Sequence, residues 1–157
     1  MTTIAYRDGI IAADSQVTLR DLNLGRQQKI STAGDYILAH AGELWTFAGL
    51  VEWLTKHDAN PAKFPANLSN KENDGNQVFS TLVLHKENLF IIESGTLMPM
   101  NVPFHAIGSG CELALGAMAA GAGALEAVRT ACQLCVYSSG PFSQYDAKTG
   151  KLTNDIA

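Results

Sequence analysis

The chain has 157 residues, of which 46% are apolar and 17% charged, and its fifteen acidic and eleven basic side chains leave a net charge of −4. A chain of this length buries roughly 70% of its unfolded surface on folding, so one domain over residues 1–157 needs neither a disulfide nor a structural metal to hold a core. The composition argues against disorder and, with no basic stripe, against nucleic-acid binding; no apolar run approaches the ~20 residues of a membrane span.

Residues 2–6 are rich in β-formers and are followed by Asp8-Gly9 and the apolar run Ile10-Ile11-Ala12-Ala13. Two β-prone runs around Asp-Gly predict a hairpin. Its register has two solutions. A two-residue loop puts Thr3 opposite Asp14. A three-residue loop with Gly9 in a bulge puts Thr2 opposite Asp14, pairs Tyr6 with Ile10 and Ile4 with Ala12, and is the preferred reading. Residues 20–28 are polar and read as a loop. Lys29-Ile30-Ser31-Thr32 and residues 36–40 form a second strand pair, turned at Ala33-Gly34-Asp35. Beyond Ala41-Gly42, the spacing of Phe47, Leu50, Val51 and Leu54 predicts a helix with one buried face.

Residues 57–77, rich in Asn, Pro and Lys, read as a long loop or a poorly formed helix. Strands follow at 79–84 and 89–93, and residues 98–107 lead into Gly108-Ser109-Gly110. Two helices are expected at about 111–120 and 125–135, separated by Gly121-Ala122-Gly123, with Leu125, Val128, Cys132 and Cys135 on one face of the second. A last hairpin turns at Lys148-Thr149-Gly150-Lys151. Grouped strands and grouped helices predict an α+β fold in layers rather than alternating β-α units.

The chemistry begins at Thr2. Removal of Met1, favoured by a small second residue, would leave a chain that starts with a hydroxyl and a free α-amine on one residue. With an ordinary pKa of roughly 7.7–8.0, that amine is a general base near neutrality. A lysine beside it would disfavour the ammonium and keep the amine neutral, and a carboxylate would hold that lysine charged. Asp14 and Lys29 are the candidates, although spacing alone leaves them equally readable as a turn acid and a surface lysine.

Several ordered patches resemble the proteasome β-type peptidases, and most of all their two-component bacterial branch, HslV. Thr2-Thr3-Ile4 followed by Ala13-Asp14-Ser15-Gln16-Val17-Thr18-Leu19 is similar to Thr-Thr-Ile and Gly-Asp-Gly-Gln-Ala-Thr-Leu. Lys29-Ile30, Ala41-Gly42, Ala106-Ile107-Gly108-Ser109-Gly110 and Cys135-Val136-Tyr137-Ser138 match further family patterns in the same order.

The resemblance implies an N-terminal-nucleophile hydrolase with a four-layer αββα sandwich. It implies a threonine-type endopeptidase with Thr2 as nucleophile and base, Lys29 and Asp14 tuning the amine, and Ser109 in the proton network. The Gly42 amide would stabilise the oxyanion, and Thr18 would bind an extended peptide by strand addition. It further implies a homo-oligomeric ring, unfolded polypeptide as substrate, an ATP-dependent unfoldase as partner, and no required cofactor. A structural sodium ion would rest on the backbone carbonyls of Cys132, Cys135 and Ser138.

The chain also departs from the family. It has two residues fewer on each side of the Asp-Gly turn, which preserves the facing of the strands. Residues 57–77 replace a long second helix. Three cysteines, odd and few, suit a reducing cytosol, and the first residues lack the basic start and apolar centre of a secretion signal. Cys132-x-x-Cys135 admits a redox or zinc reading, but without a second Cys/His pair a buried helix face is the expectation. Gly108-Ser109-Gly110 fits neither a nucleophile elbow nor a phosphate loop. Two other readings predict different behaviour: an inactive scaffold on the same fold, indifferent to Thr2→Ala, and a small-molecule amidase active as a monomer.

Overall fold

The computed structural model describes residues 1–68 and 79–157. Its elements run in chain order β1 (Thr3–Arg7), β2 (Ile10–Ala13), β3 (Gln16–Leu19), β4 (Leu22–Arg26), β5 (Ile30–Ala33), β6 (Tyr36–Gly42) and α1 (Thr46–His57). From residue 79 onward come β7 (Phe79–His85), β8 (Asn88–Glu93), β9 (Thr96–Pro99), β10 (Phe104–Gly108), α2 (Cys111–Ala119), α3 (Ala124–Leu134), β11 (Phe142–Asp146) and β12 (Lys151–Ile156). One five-stranded antiparallel sheet has the order β10-β1-β2-β11-β12 and the other β5-β6-β7-β8-β9, while β3 and β4 form a separate hairpin. No helix among the described residues is long and apolar enough to cross a membrane.

The first hairpin takes the register that the sequence did not favour. Arg7 pairs with Ile10 and Ile4 with Ala13, so the loop is the two residues Asp8-Gly9 and Thr3 lies opposite Asp14. Both loop residues have positive φ, 51° at Asp8 and 83° at Gly9, as a primed two-residue turn requires. Side-chain volume explains the choice. Ile4, Ile11 and Ala13 fall on one face, in the core between the two sheets with Ile37, Leu82 and Leu84. Ala5 and Ala12 fall on the other, under α2 and α3 with Ala114, Ala127 and Ala131. A one-residue slip would drive Ile11 into the alanine-lined helix contact, where close-packed interiors leave no room for it.

The second sheet is apolar on both faces as well. Ile37, Ala39 and Ala41 of β6 point to the inter-sheet core, and Leu38 points to α1, where it meets Leu50, Trp53 and Leu54. Trp53, fully buried, is the largest side chain in that contact. Phe47 and Val51, also expected on the buried face of the helix, are half-buried at its margins.

Two further expectations change, for residues 20–28 and for α3, while that for residues 57–77 holds over its described part. Residues 20–28 are not a loop throughout: β3 and β4 pair across a turn at Arg20-Asp21, with Arg20 at φ 53°. The polar composition misled because β4 packs on no sheet, and its leucines Leu22 and Leu24 are exposed. In 57–77, the described part contains two short 3₁₀ turns, Pro61–Lys63 and Ala66–Leu68; residues 69–77 of that expectation lie outside the described residues. In α3 the buried stripe is Ala124, Ala127, Val128 and Ala131, whereas Leu125, Cys132 and Cys135 are only half-buried. Short alanines let α3 approach the sheet closely, and the bulkier side chains are left at its flanks.

Candidate active site

The strand ends of both sheets converge on a cleft of about 630 Å³ lined by Met1, Thr2, Thr18, Lys29, His40 and Gly42, with Leu19, Leu24, Leu44 and Trp45 among its apolar residues. Asp14 follows the end of β2 and is fully buried. Its Oδ1 accepts from the Thr3 amide at 2.8 Å, and its Oδ2 from the amides of Gln16 at 3.1 Å and Ser139 at 3.3 Å. Lys29, just ahead of β5, donates from Nζ to Asp14 Oδ1 at 2.8 Å, Gln16 O at 2.7 Å and Met1 O at 3.1 Å. The Lys29 ammonium is thereby fully used and aimed at the Met1–Thr2 peptide.

Burial pushes the Asp14 carboxyl up and the Lys29 amine down, while each partner's charge pulls the other way. The three backbone amides on Asp14 favour its ionised form, so the pair is held as carboxylate and ammonium at neutral pH. The Met1 α-amine donates to Thr18 Oγ1 at 2.7 Å, and burial together with the Lys29 charge lowers its pKa below 8.0.

Ser109 lies between β10 and α2. Its hydroxyl accepts from the Thr2 amide at 3.3 Å and donates to the Thr2 carbonyl at 3.2 Å. Beyond it stand Cys135 Sγ at 3.7 Å, then Ser138 Oγ at 3.6 Å from that sulfur, then Thr3 Oγ1 at 2.7 Å from Ser138 Oγ. The glycines on either side of Ser109 make this approach feasible. Gly108 has φ 91°, and a Cβ there would overlap the Thr2 carbonyl; one on Gly110 would overlap Thr3 Oγ1. Gly108→Ala is therefore expected to displace Thr2 and to lower stability by about 2–3 kcal/mol, measurable as a shift in the urea midpoint at unchanged slope.

Six of the residues singled out in the sequence thus meet here. Thr2 is hydrogen-bonded to Ser109 and Asp14 to Lys29, whose Nζ reaches the carbonyl of the Met1–Thr2 peptide, and Thr18 and Gly42 stand in the cleft wall. The side chains of Cys132 and Cys135 border the site. Burial, reinforced by the Asp14 charge, pushes the Cys132 thiol up to about 12, which disfavours the thiolate that metal ligation or redox chemistry needs. Among the described residues no three His, Cys, Asp or Glu side chains gather to hold a metal. Of the carbonyls at Cys132, Cys135 and Ser138, that of Cys135 accepts from the Ser138 amide at 3.3 Å.

Sequence reasoning missed the Thr3 amide and hydroxyl, the Gln16 backbone and the Ser139 amide as site components. Their signal was adjacency to Thr2, Asp14 and Ser138. It also passed over His40, a histidine inside an otherwise apolar strand.

Neither protein-family models nor curated proteins give a match to this chain. Among solved structures, Thiobacillus denitrificans BPH superposes with a TM-score of 0.66 at 20% identity, covering 98% of this chain and 97% of that one. BPH in complex with epoxomicin gives 0.66 at 20%, covering 99% of each. Eukaryotic HslV from Trypanosoma brucei gives 0.65 at 22%, covering 91% and 96%. The likeness extends over nearly the whole chain and establishes an HslV-like, proteasome β-subunit-like α+β fold.

Proposed function

We propose that this HslV-like chain is a threonine-type endopeptidase that uses Thr2, once Met1 is removed, as its nucleophile. The observation that carries the reading is the convergence on Thr2 of a buried Lys29–Asp14 pair and the Ser109 hydroxyl at the wall of an open cleft. The packing of α1 on one sheet and of α2 and α3 on the other, with a core between the sheets, supports a four-layer αββα arrangement as a single N-terminal-nucleophile domain over 1–157.

In this mechanism the Thr2 α-amine takes the proton from its own Oγ, and the oxygen attacks the scissile carbonyl carbon of an extended peptide aligned along Thr18. The oxyanion is met by the Gly42 N–H, and collapse transfers the proton to the departing amine. Water then cleaves the Thr2 ester by the same route in reverse, restoring hydroxyl and amine. Lys29 disfavours the ammonium form, Asp14 holds Lys29, and Ser109 anchors the Thr2 backbone and joins the proton network.

Met1 occupies the place that this chemistry needs, with its amine on Thr18 and its carbonyl on Lys29. Intact-mass measurement followed by exposure to an epoxyketone tests the reading directly. The expected result is a mass lacking methionine and a single adduct at Thr2. Retained methionine with no adduct would leave the inactive-scaffold reading instead.

The pH profile carries a second expectation. Burial and the Lys29 charge lower the Met1 amine, and the Thr2 amine freed by removal of Met1 is expected to meet the same two influences, since Lys29 Nζ lies 3.1 Å from the Met1 carbonyl bonded to that nitrogen. Each disfavours the ammonium, so the free base persists to lower pH and the acidic limb of kcat/KM has its midpoint below 8.0. A midpoint at or above that value would count against Lys29 as the group that tunes the amine.

The fold likeness supports assembly into a homo-oligomeric ring, unfolded polypeptide as substrate, an ATP-dependent unfoldase as partner and a cytoplasmic setting. A structural sodium ion on the carbonyls of Cys132, Cys135 and Ser138 belongs to the same proposal, and no further cofactor is required.

A further inference from the structure

His40 stands in β6 two residues before Gly42 and is only 6% exposed, with Phe47 and Phe79 flanking its ring at 5.8 and 5.9 Å. Both ring nitrogens are engaged. Nδ1 lies 2.8 Å from Thr81 Oγ1, and Nε2 lies 3.0 Å from Thr46 Oγ1 and 3.4 Å from the Glu43 carbonyl. The hydrogen-bond partners favour one tautomer. The Thr46 hydroxyl has one proton, which it gives to the Glu43 carbonyl at 2.6 Å. With that proton so placed, Thr46 Oγ1 accepts from Nε2–H and Nδ1 accepts from the Thr81 hydroxyl, the tautomer that also turns an N–H rather than a lone pair toward the Glu43 carbonyl. Burial lowers the His40 pKa and favours this neutral ring.

The result is a closed set of hydrogen bonds around one backbone position. His40 is tied to β7 through Thr81 and to the start of α1 through Thr46, while the Glu43 carbonyl also receives the Thr46 amide at 3.1 Å. Gly42 lies between the two ends of this tether, with φ 138°. Glycine there has the widest conformational freedom of any residue, so the chain on both sides must set its peptide orientation.

We infer that His40, Thr46 and Thr81 are positioning residues that hold the Gly42 amide in the orientation an oxyanion requires. The inference rests on the peptidase reading above. Neither threonine lines the cleft, and both are fully buried, so a substrate would not touch them. Loss of the tether should therefore appear in turnover rather than in substrate affinity.

The test compares kcat and KM of the parent protein, Thr46→Val and Thr46→Ser on a fluorogenic peptide amide, with epoxyketone labelling of Thr2 measured in parallel. Valine keeps the volume and removes the hydroxyl; serine keeps the hydroxyl. The expected result is a kcat about ten-fold lower for Thr46→Val, KM within about two-fold, and a Thr46→Ser rate close to that of the parent. Unchanged kcat in Thr46→Val, or no recovery in Thr46→Ser, overturns the positioning role while leaving the peptidase reading intact. Should Thr46→Val fail to fold, Thr81→Val and Thr81→Ser test the other end of the tether with the same expected pattern. If the parent protein neither hydrolyses peptide nor labels at Thr2, both readings fall.

Discussion

Thr2→Ala is expected to lower peptide hydrolysis by at least about 10³-fold and to abolish epoxyketone labelling, with the α-amine still present at the new first residue. The variant separates chemistry from architecture. Ser109 contacts the Thr2 backbone nitrogen and carbonyl oxygen, both of which alanine keeps, so the strand end and the cleft should persist. Stability should therefore move by no more than about 1 kcal/mol, read as a small change in the urea midpoint. Thr2→Ser, which retains a hydroxyl, should recover part of the activity. Equal hydrolysis by Thr2→Ala and the parent would sink the nucleophile assignment, because nothing else in the mechanism replaces that oxygen.

Lys29→Met is expected to cost about 3–5 kcal/mol in addition to activity, because it strands the Asp14 carboxylate at 0% exposure without its countercharge. Three amides still donate to Asp14, but they do not neutralise it. The pH dependence has a definite sign. Burial already pushes Asp14 up, with the Lys29 charge opposing it, so removing Lys29 raises the folded pKa further above the unfolded value of 3.8. A group raised in this way binds its proton more tightly when folded, so its contribution to stability is present at acidic pH and lost as pH rises through the folded pKa. The deficit of Lys29→Met against the parent should therefore be smaller at acidic pH than at neutral pH. Adding Asp14→Asn should restore part of the stability at neutral pH, since it removes the buried charge while its one amide oxygen can still accept from the Gln16 and Ser139 amides. A deficit independent of pH, with no recovery in the double variant, would mean that Lys29 contributes packing rather than charge.

The elements that could be read from the sequence were those in which local chemistry and burial agree. Helix α1 shows its apolar spacing at Leu50 and Leu54; α2 and α3 are separated by Gly121-Ala122-Gly123; and the β7–β8 and β11–β12 pairs follow alternation and turn chemistry. The hairpin β3–β4 was obscured because its leucines lie on an exposed face, so burial imposes no pattern on it. The candidate site was legible through short patches around Thr2, Asp14, Lys29 and Ser109, since a hydroxyl, an amine and a buried ion pair need those residue types whatever the fold. The roles of Thr3, Ser139 and His40 were not, because a backbone amide has no sequence signature and a buried histidine looks like any other histidine.

The β1–β2 hairpin marks the division most clearly. Asp8-Gly9 by itself determined that the chain turns there, because both positions adopt positive φ readily. It could not determine whether Thr2 or Thr3 faces Asp14, since either register satisfies the turn and the alternation. Only the tertiary structure decided it: Ile11 has space between the sheets but none against the alanine-lined helices, and that volume constraint puts Thr3 opposite Asp14.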